Sequence, residues 1–157
     1  MKTLKIVLFV SVVLAIVLIS CGKDKSGTDL KKPDYAFMSS HRWKMISYTC
    51  NPAMKINNVM ITDFLANTKP CKQDDIFVFL TDSTYCELEG LTKCDVTNKD
   101  TVYIAKYTLS KDQTSLVADD FPGQVQISVL DNNKMGWQEI ITKDNVTYTV
   151  NYVFEGQ

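Results

Sequence analysis

The chain has 157 residues, with 17 basic and 18 acidic side chains, a formal net charge of −1 and a hydrophobic content of 45%. A nearly neutral chain without a basic stripe is a poor candidate for binding nucleic acid. The length suits a single domain with a hydrophobic core of its own.

The first twenty residues have the layout of an export signal. Lys2 and Lys5 precede an apolar run, Ile6 to Ile19, that only Ser11 interrupts. Its length fits the apolar region of a signal peptide, typically ~7–15 residues, and falls short of the ~20 apolar residues of a membrane-spanning helix. We therefore expect residues 1–20 to be removed on export.

The apolar run ends in Leu18-Ile19-Ser20-Cys21. This ending resembles the lipobox of bacterial lipoproteins, with Leu at −3, a small residue at −1 and Cys at +1. The resemblance implies cleavage after Ser20, diacylglycerol on the Cys21 sulfur and an acyl chain such as palmitate on the new amino group. Two or more acyl chains hold a protein stably on a membrane. An ordinary cleaved signal with an incidental Cys is the alternative.

Gly22 follows the lipidated position, where inner-membrane lipoproteins of enteric bacteria carry Asp. By that family rule we expect the outer membrane, with the periplasmic or surface-facing leaflet undecided. Residues 21–38 are predicted to form the lipidated N-terminus and a polar tether, since 22–34 are almost entirely small, charged or Pro. Loss of Lys2 and Lys5 would leave a net charge of about −3.

Beyond the tether, apolar and polar residues alternate in short runs separated by Asn- and Asp-containing turns. The predicted strands are Arg42–Cys50, Ile76–Leu80, Tyr85–Glu89, Val102–Leu109, Ser115–Ala118, Val125–Leu130, Met135–Thr142 and Val146–Phe154. A long connection, Asn51–Asp74, holds a short helical piece near Met60–Ala66. This pattern predicts an all-β fold over residues 39–157: an eight-stranded antiparallel up-and-down barrel, which leaves no exposed edges. A two-sheet sandwich is the alternative.

Two stretches resemble a known family. Arg42-Trp43-Lys44-Met45 resembles the Gly-x-Trp signature of the first lipocalin strand, in which the Trp is a packing residue. Cys71-Lys72-Gln73-Asp74-Asp75 and Glu89-Gly90-Leu91-Thr92-Lys93-Cys94-Asp95 resemble the lipocalin-like domain lipoproteins of Bacteroidota. The resemblance implies an eight-stranded barrel with one open mouth. His41 and Ser83 stand where the family patterns have Gly.

Four cysteines remain besides Cys21, and an exported protein is expected to keep disulfides. Cys71 and Cys94 are paired in the family pattern, and they also lie equally far from the centre of a two-residue Asp82-Ser83 turn. Cys50 and Cys86 fall on predicted strands separated by a third strand, beyond the ~7 Å between Cα atoms that a disulfide allows. We therefore expect two free thiols there, with a second disulfide as the alternative.

No residue set predicts catalysis, a metal or a cofactor. His41 is the only histidine and is expected to be structural, and the spacing of the cysteines fits no zinc site. The adjacent carboxylates Asp74-Asp75 would point to opposite faces of a strand and could not readily act together. Glu87, Glu89 and Asp95 would share one side, for which a solvated outer face is the favoured interpretation.

The aromatic residues of interest all fall on predicted strands: Trp43, Phe77, Phe79, Tyr103, Tyr107, Trp137, Tyr148, Tyr152 and Phe154. An eight-stranded barrel is either filled by side chains or holds one small ligand, so these residues either fill the core or partly line an apolar pocket.

The leading hypothesis is a non-enzymatic, membrane-anchored lipocalin-like lipoprotein that binds a small apolar ligand. The alternative is an envelope interaction or scaffold module with a filled barrel, whose long connection contacts another envelope protein. An enzyme with a site at the barrel mouth is the third hypothesis.

Overall fold

The structure, a computed structural model, describes residues 33–97, 99–119 and 123–157. The expected export signal, Cys21 and most of the expected tether lie outside the described residues. The elements are α1 (Tyr35–Ser39), β1 (Arg42–Ile56), β2 (Val59–Asp63), α2 (Phe64–Asn67), a 3-10 turn (Pro70–Lys72), β3 (Ile76–Phe79), β4 (Thr84–Leu88), β5 (Thr101–Leu109), β6 (Ser115–Ala118), β7 (Val125–Asp131), β8 (Lys134–Lys143) and β9 (Val146–Gly156).

Eight of these strands form a closed antiparallel barrel. The order runs from β1 through β3 and then in sequence to β9, which returns to pair with β1. Closure is extensive, because β9 pairs with β1 from Trp43 opposite Gly156 to Asn51 opposite Thr149. The predicted up-and-down, lipocalin-like barrel is confirmed, and the sandwich alternative is wrong.

The predicted long connection Asn51–Asp74 is wrong over its first half, which forms strands instead of a loop. β1 continues to Ile56 and turns through Asn57-Asn58 into β2, which pairs with β1 alone among the described strands. Both Asn residues have positive φ, 50° and 66°, the backbone of a tight hairpin turn that Asn tolerates well. The helix is correspondingly shorter and later than predicted, at Phe64–Asn67. The Asn-Asn pair was the overlooked sequence signal.

Strand alternation places large side chains inside the barrel. On β9 every second residue from Tyr148 to Phe154 is buried. The Phe79 ring lies 5.3 Å from that of Tyr107 and 5.7 Å from that of Trp137, and Trp137 lies 4.7 Å from Phe154. Burying each such side chain contributes about 1.5–3 kcal/mol. The middle of the barrel is therefore filled by interlocking aromatic rings.

One end of the barrel is closed by α1. Asp34 caps this helix, since its Oδ1 accepts a hydrogen bond from the Phe37 N–H at 2.6 Å. Phe37 and Met38 are buried, and the Trp43 indole N–H donates to the Met38 carbonyl at 2.7 Å. The domain boundary expected after residue 38 therefore needs correcting: these two apolar residues belong to the barrel core.

His41 lies at this closed end, where its ring packs 5.0 Å from that of Trp43. The room for it comes from Gly156, because a Cβ there would lie 2.6 Å from the imidazole. His41 in place of the signature Gly is thus accommodated by a glycine on the adjoining strand.

The antiparallel order fixes which connections share an end. The β3–β4, β5–β6 and β7–β8 turns lie at the closed end with α1. The β1–β2 hairpin, α2, the 3-10 turn and the β4–β5 loop lie at the opposite end, which we call the mouth.

Candidate binding site at the barrel mouth

A cavity of about 210 Å³ opens at the mouth. Its apolar walls come from Met45, Tyr48, Leu65 and Phe77, and its charged wall from Lys72, Asp75 and Glu87. This volume is smaller than the ~300–1,000 Å³ of drug-sized ligand pockets, so it would suit a small molecule or one end of a longer one.

A bulge in β1 brings two of the apolar residues into the cavity. The pairing of β1 with β9 shifts register between Met45 and Ser47, so that Met45 lies opposite Phe154 and Tyr48 opposite Tyr152. Both side chains consequently face inward although they are three residues apart. Bulges commonly redirect side chains in this way at barrel rims and binding sites.

Residues 64–75, which we call the mouth segment, cover part of the cavity. The segment begins with α2, which Asp63 caps by accepting from the Ala66 N–H at 2.9 Å. The Phe64 ring packs 4.7 Å from that of Tyr48, and Tyr48 stacks on Tyr152 at 4.6 Å. This aromatic stack joins the mouth segment to the barrel wall.

The predicted disulfide between Cys71 and Cys94 is present, with a Cα–Cα distance of 5.1 Å. It links the mouth segment to the β4–β5 loop, so the two connections constrain each other. Cys50 and Cys86 are free thiols, as expected. Cys50 is buried and its Sγ lies 3.2 Å from the Pro52 carbonyl oxygen, and burial raises the pKa of this thiol.

An ionic cluster forms the charged wall. The Lys72 Nζ lies 2.9 Å from Asp75 Oδ2, 3.5 Å from Glu87 Oε1 and 4.0 Å from Glu89 Oε1. The side chains of Asp75 and Glu89 are only 3% and 2% exposed. Buried carboxylates of this kind need a counter-charge, which Lys72 supplies.

The expectation of a solvated outer face for Glu87 and Glu89 is wrong. Glu87 lies opposite Phe77 on β3 and Tyr103 on β5, and the alternation of these strands turns it toward the cavity. Asp95 is not part of the cluster: it is exposed and accepts hydrogen bonds from Thr97. Sequence reasoning also missed Lys72, because its role depends on the fold of the mouth segment.

The two ionic partners in the cavity wall perturb each other. Partial burial raises the pKa of Glu87, and its hydrogen bond and charge interaction with Asp75 raise it further against the opposing effect of Lys72. Partial burial lowers the pKa of Lys72, but Asp75, Glu87 and Glu89 outweigh this effect, so its pKa lies above the usual value. Lys72 is therefore firmly cationic, while Glu87 gives up its proton less readily than an ordinary Glu.

Asp74 and Asp75 diverge as expected for neighbouring strand residues. Asp75 Oδ1 accepts from the Gly90 N–H at 3.2 Å, whereas Asp74 Oδ2 accepts from the Thr92 N–H at 2.9 Å and Asp74 lines a separate groove. Gly90 is required here, since a Cβ would lie 2.3 Å from the Asp74 carbonyl oxygen. The two carboxylates thus hold the β4–β5 loop against β3.

A further buried carboxylate lies inside the barrel. Glu139 on β8 is 4% exposed and accepts a hydrogen bond from the Tyr152 hydroxyl at 3.4 Å. Burial and the neighbouring Tyr48 and Glu139 raise the pKa of Tyr152. Predicted strand positions alone gave no sign of this polar pair, because its partners lie on different strands.

Within residues 33–97, 99–119 and 123–157, no cluster of three His, Cys, Asp or Glu side chains could hold a metal ion. No helix in these ranges is long and apolar enough to cross a membrane. Compared with known proteins, the chain matches no family model, and no curated protein matches it. The fold itself defines the class: a lipocalin-like β-barrel with a filled middle and a cavity at its mouth.

Proposed function

We propose that the chain is a lipid-anchored, lipocalin-like lipoprotein of the Bacteroidota type that binds a small, largely apolar ligand at its mouth. The observation that carries the proposal is the mouth cavity, whose walls include Met45, Leu65 and Phe77 at the open end of a barrel. Because aromatic side chains fill the middle of the barrel, the ligand would occupy the mouth rather than the interior.

The position of the N-terminal end supports the anchored part of the proposal. Pro33 is buried, and the Tyr35 hydroxyl beside it accepts from the Leu109 N–H at the closed end. Cys21 precedes Pro33 by twelve residues, which reach at most about 40 Å when fully extended. A lipid on Cys21 would thus tether the domain to the outer membrane through its closed end, at a distance of up to about 40 Å.

The proposal includes no catalysis. The chain's one histidine, His41, lies at the closed end, and in the mouth the ammonium of Lys72 is engaged by carboxylates. A site for general acid–base chemistry needs groups poised near neutral pH beside a reacting substrate, and the cluster is better suited to holding the mouth segment in place.

Native mass spectrometry of the full-length protein, extracted in mild detergent from its own host, tests ligand binding. We expect a co-purifying small molecule on the wild-type protein. Leu65→Trp should lose it by filling the cavity, whereas the control Leu130→Trp, on an exposed side chain near the closed end, should keep it. A wild-type protein that carries no small molecule would contradict the proposal.

Metabolic labelling with palmitate tests the anchor. Cys21→Ala should abolish both the label and the membrane association, whereas Cys86→Ala should leave both unchanged. Labelling that survives Cys21→Ala would show that the lipobox interpretation is wrong.

A second candidate is an envelope interaction module, which the β1–β2 hairpin favours. Ile56, Val59 and Met60 at its tip are 37%, 57% and 61% exposed, and exposed apolar groups at one place often mark a protein contact. In cross-linking experiments on host cells, Val59→Lys should then lose a partner that Val117→Lys, on the exposed barrel wall, retains. Identical cross-linking patterns for the two variants would count against this candidate.

A further inference from the structure

The mouth cavity is chemically two-sided. Met45, Leu65 and Phe77 supply hydrocarbon on one side, and Asp75 and Glu87 supply carboxylates on the other. The volume of about 210 Å³ is enough for a short hydrocarbon chain with a single polar head. A ligand that satisfied both sides would be amphipathic.

The charges on the polar side do not balance. Lys72 is the one cation among the described residues that line the cavity, and it faces Asp75, Glu87 and Glu89. Its contacts are unequal: Asp75 is held at 2.9 Å, whereas Glu87 is 3.5 Å away. Asp75 also accepts from the Gly90 N–H. Glu87 is therefore the carboxylate in the cavity wall that is least neutralised by the protein.

The hydrogen-bonding capacity of the cluster also favours a cationic ligand head. An ionised carboxylate only accepts hydrogen bonds, and a ligand ammonium offers three donors together with a positive charge. Charge-assisted hydrogen bonds of this kind are about twice as strong as neutral ones. A ligand carboxylate would instead lie beside the carboxyl groups of Asp75 and Glu87, and a neutral head would leave the excess negative charge in place.

Resting on the proposed function, and deepening it, we propose that the mouth cavity selects small amphipathic amines. The ammonium of the ligand hydrogen-bonds to Glu87 beside Asp75, and its hydrocarbon chain packs against Phe77, Met45 and Leu65. The ammonium of Lys72 then competes with the ligand ammonium for these carboxylates. Because Lys72 already binds Asp75, it limits how tightly the amine is held.

Three six-carbon probes of equal chain length test this proposal: hexylamine, 1-hexanol and hexanoate. Binding is measured by calorimetry on the full-length protein in lipid nanodiscs, with empty nanodiscs as the blank. We expect hexylamine to bind about tenfold more tightly than 1-hexanol, the effect of one charge-assisted contact, and hexanoate to bind most weakly.

Two pairs of variants identify the residues. Glu87→Gln should reduce hexylamine binding to the level of 1-hexanol, whereas Glu155→Gln, which makes the same chemical change at the closed end, should not. Lys72→Gln should strengthen hexylamine binding, whereas Lys134→Gln, beside Glu155, should leave it unchanged. Unchanged 1-hexanol binding in Glu87→Gln shows that the variant is folded, and a parallel loss of both probes would overturn the assignment of Glu87.

The outcomes separate this proposal from the one on which it rests. If 1-hexanol and hexylamine bind equally well to the wild-type protein, the mouth is an apolar site and the selection for amines is wrong. If none of the probes binds, the amine proposal is overturned, and the absence of a co-purified molecule would then overturn ligand binding as well.

Discussion

The two ends of the barrel are built on opposite principles. At the closed end, Trp43 is completely buried under Phe37 and Met38, and its indole N–H has a backbone partner. At the mouth, buried carboxylates contact the half-buried ammonium of Lys72, and a disulfide joins the mouth segment to the β4–β5 loop. The closed end gains stability from apolar packing, whereas the mouth holds charged groups whose desolvation costs stability.

Because of this difference, the closed end provides stability and the mouth provides the chemical preference of the cavity. Apolar burial is non-directional and contributes in proportion to area, so it suits an end that only has to stay closed. Buried charges contribute little net stability, because desolvation offsets their attraction, but they give a cavity a chemical preference. A filled middle layer of aromatic rings lies between the two ends.

The largest expected effect comes from removing the central residue of the closed end. Trp43→Ala should lower the free energy of unfolding by about 3–5 kcal/mol, because it creates a cavity and leaves the Met38 carbonyl without its donor. Urea denaturation measures the loss, and Ile46→Ala, exposed on the same strand, is the control. A loss for Trp43→Ala no larger than that of Ile46→Ala would contradict the importance of closed-end packing.

The next largest effect is expected at the mouth, from the disulfide. Replacing both Cys71 and Cys94 by Ser should cost about 3 kcal/mol, since the bond closes a loop with a sequence separation of 23 residues. Urea denaturation under non-reducing conditions measures it, with Cys86→Ser as the control. Reduction should destabilise the wild-type protein and leave the double variant unaffected. Equal sensitivity of the two proteins to reduction would show that the bond is unimportant.

The smallest expected effect is that of the Glu87 charge on the free energy of unfolding. The pKa of Glu87 is raised by folding, so the stability linked to its protonated form is present below the ordinary Glu pKa of about 4.3 and is lost as the pH rises through the folded-state pKa. Glu87→Gln stays neutral throughout.

At neutral pH, Glu87→Gln should therefore be more stable than the wild-type protein by roughly 0.5–1 kcal/mol, the scale of a partly exposed charge interaction. The advantage should disappear below about pH 4, where the wild-type carboxyl is protonated. Denaturation across this pH range measures the trend, and Glu155→Gln should show no comparable advantage at neutral pH. A variant that is less stable than the wild-type protein at neutral pH would contradict the sign.

The comparison of the two ends also explains which parts of the protein were predictable. The alternation of Val146–Phe154 predicted β9 well, because each inward residue meets a continuous core. The Cys71–Cys94 bond is confirmed, but the two-residue Asp82-Ser83 turn is wrong. Phe79 pairs with Tyr85 and the Leu80 N–H donates to the Thr84 carbonyl, so the turn has three residues and the two cysteines are not in register across it. The Asn57-Asn58 hairpin was missed, although both residues favour a left-handed turn. Glu87 was placed on the outer face because charged residues are expected in solvent unless a partner is visible.

The sequence by itself determined the strand periodicity and favoured a barrel over a sandwich, because these depend on alternation along the chain. The family resemblance implied the Cys71–Cys94 disulfide. The sequence also carries the expectation of a lipid on Cys21, which depends on a local motif. Only the tertiary structure decided which end of the barrel is closed, that Glu87 faces the mouth cavity while Glu89 is buried, and that Lys72 lies beside both. Those facts depend on side chains from separate strands and loops coming together, and the free energy of a buried charge is set by neighbours that sequence order does not reveal.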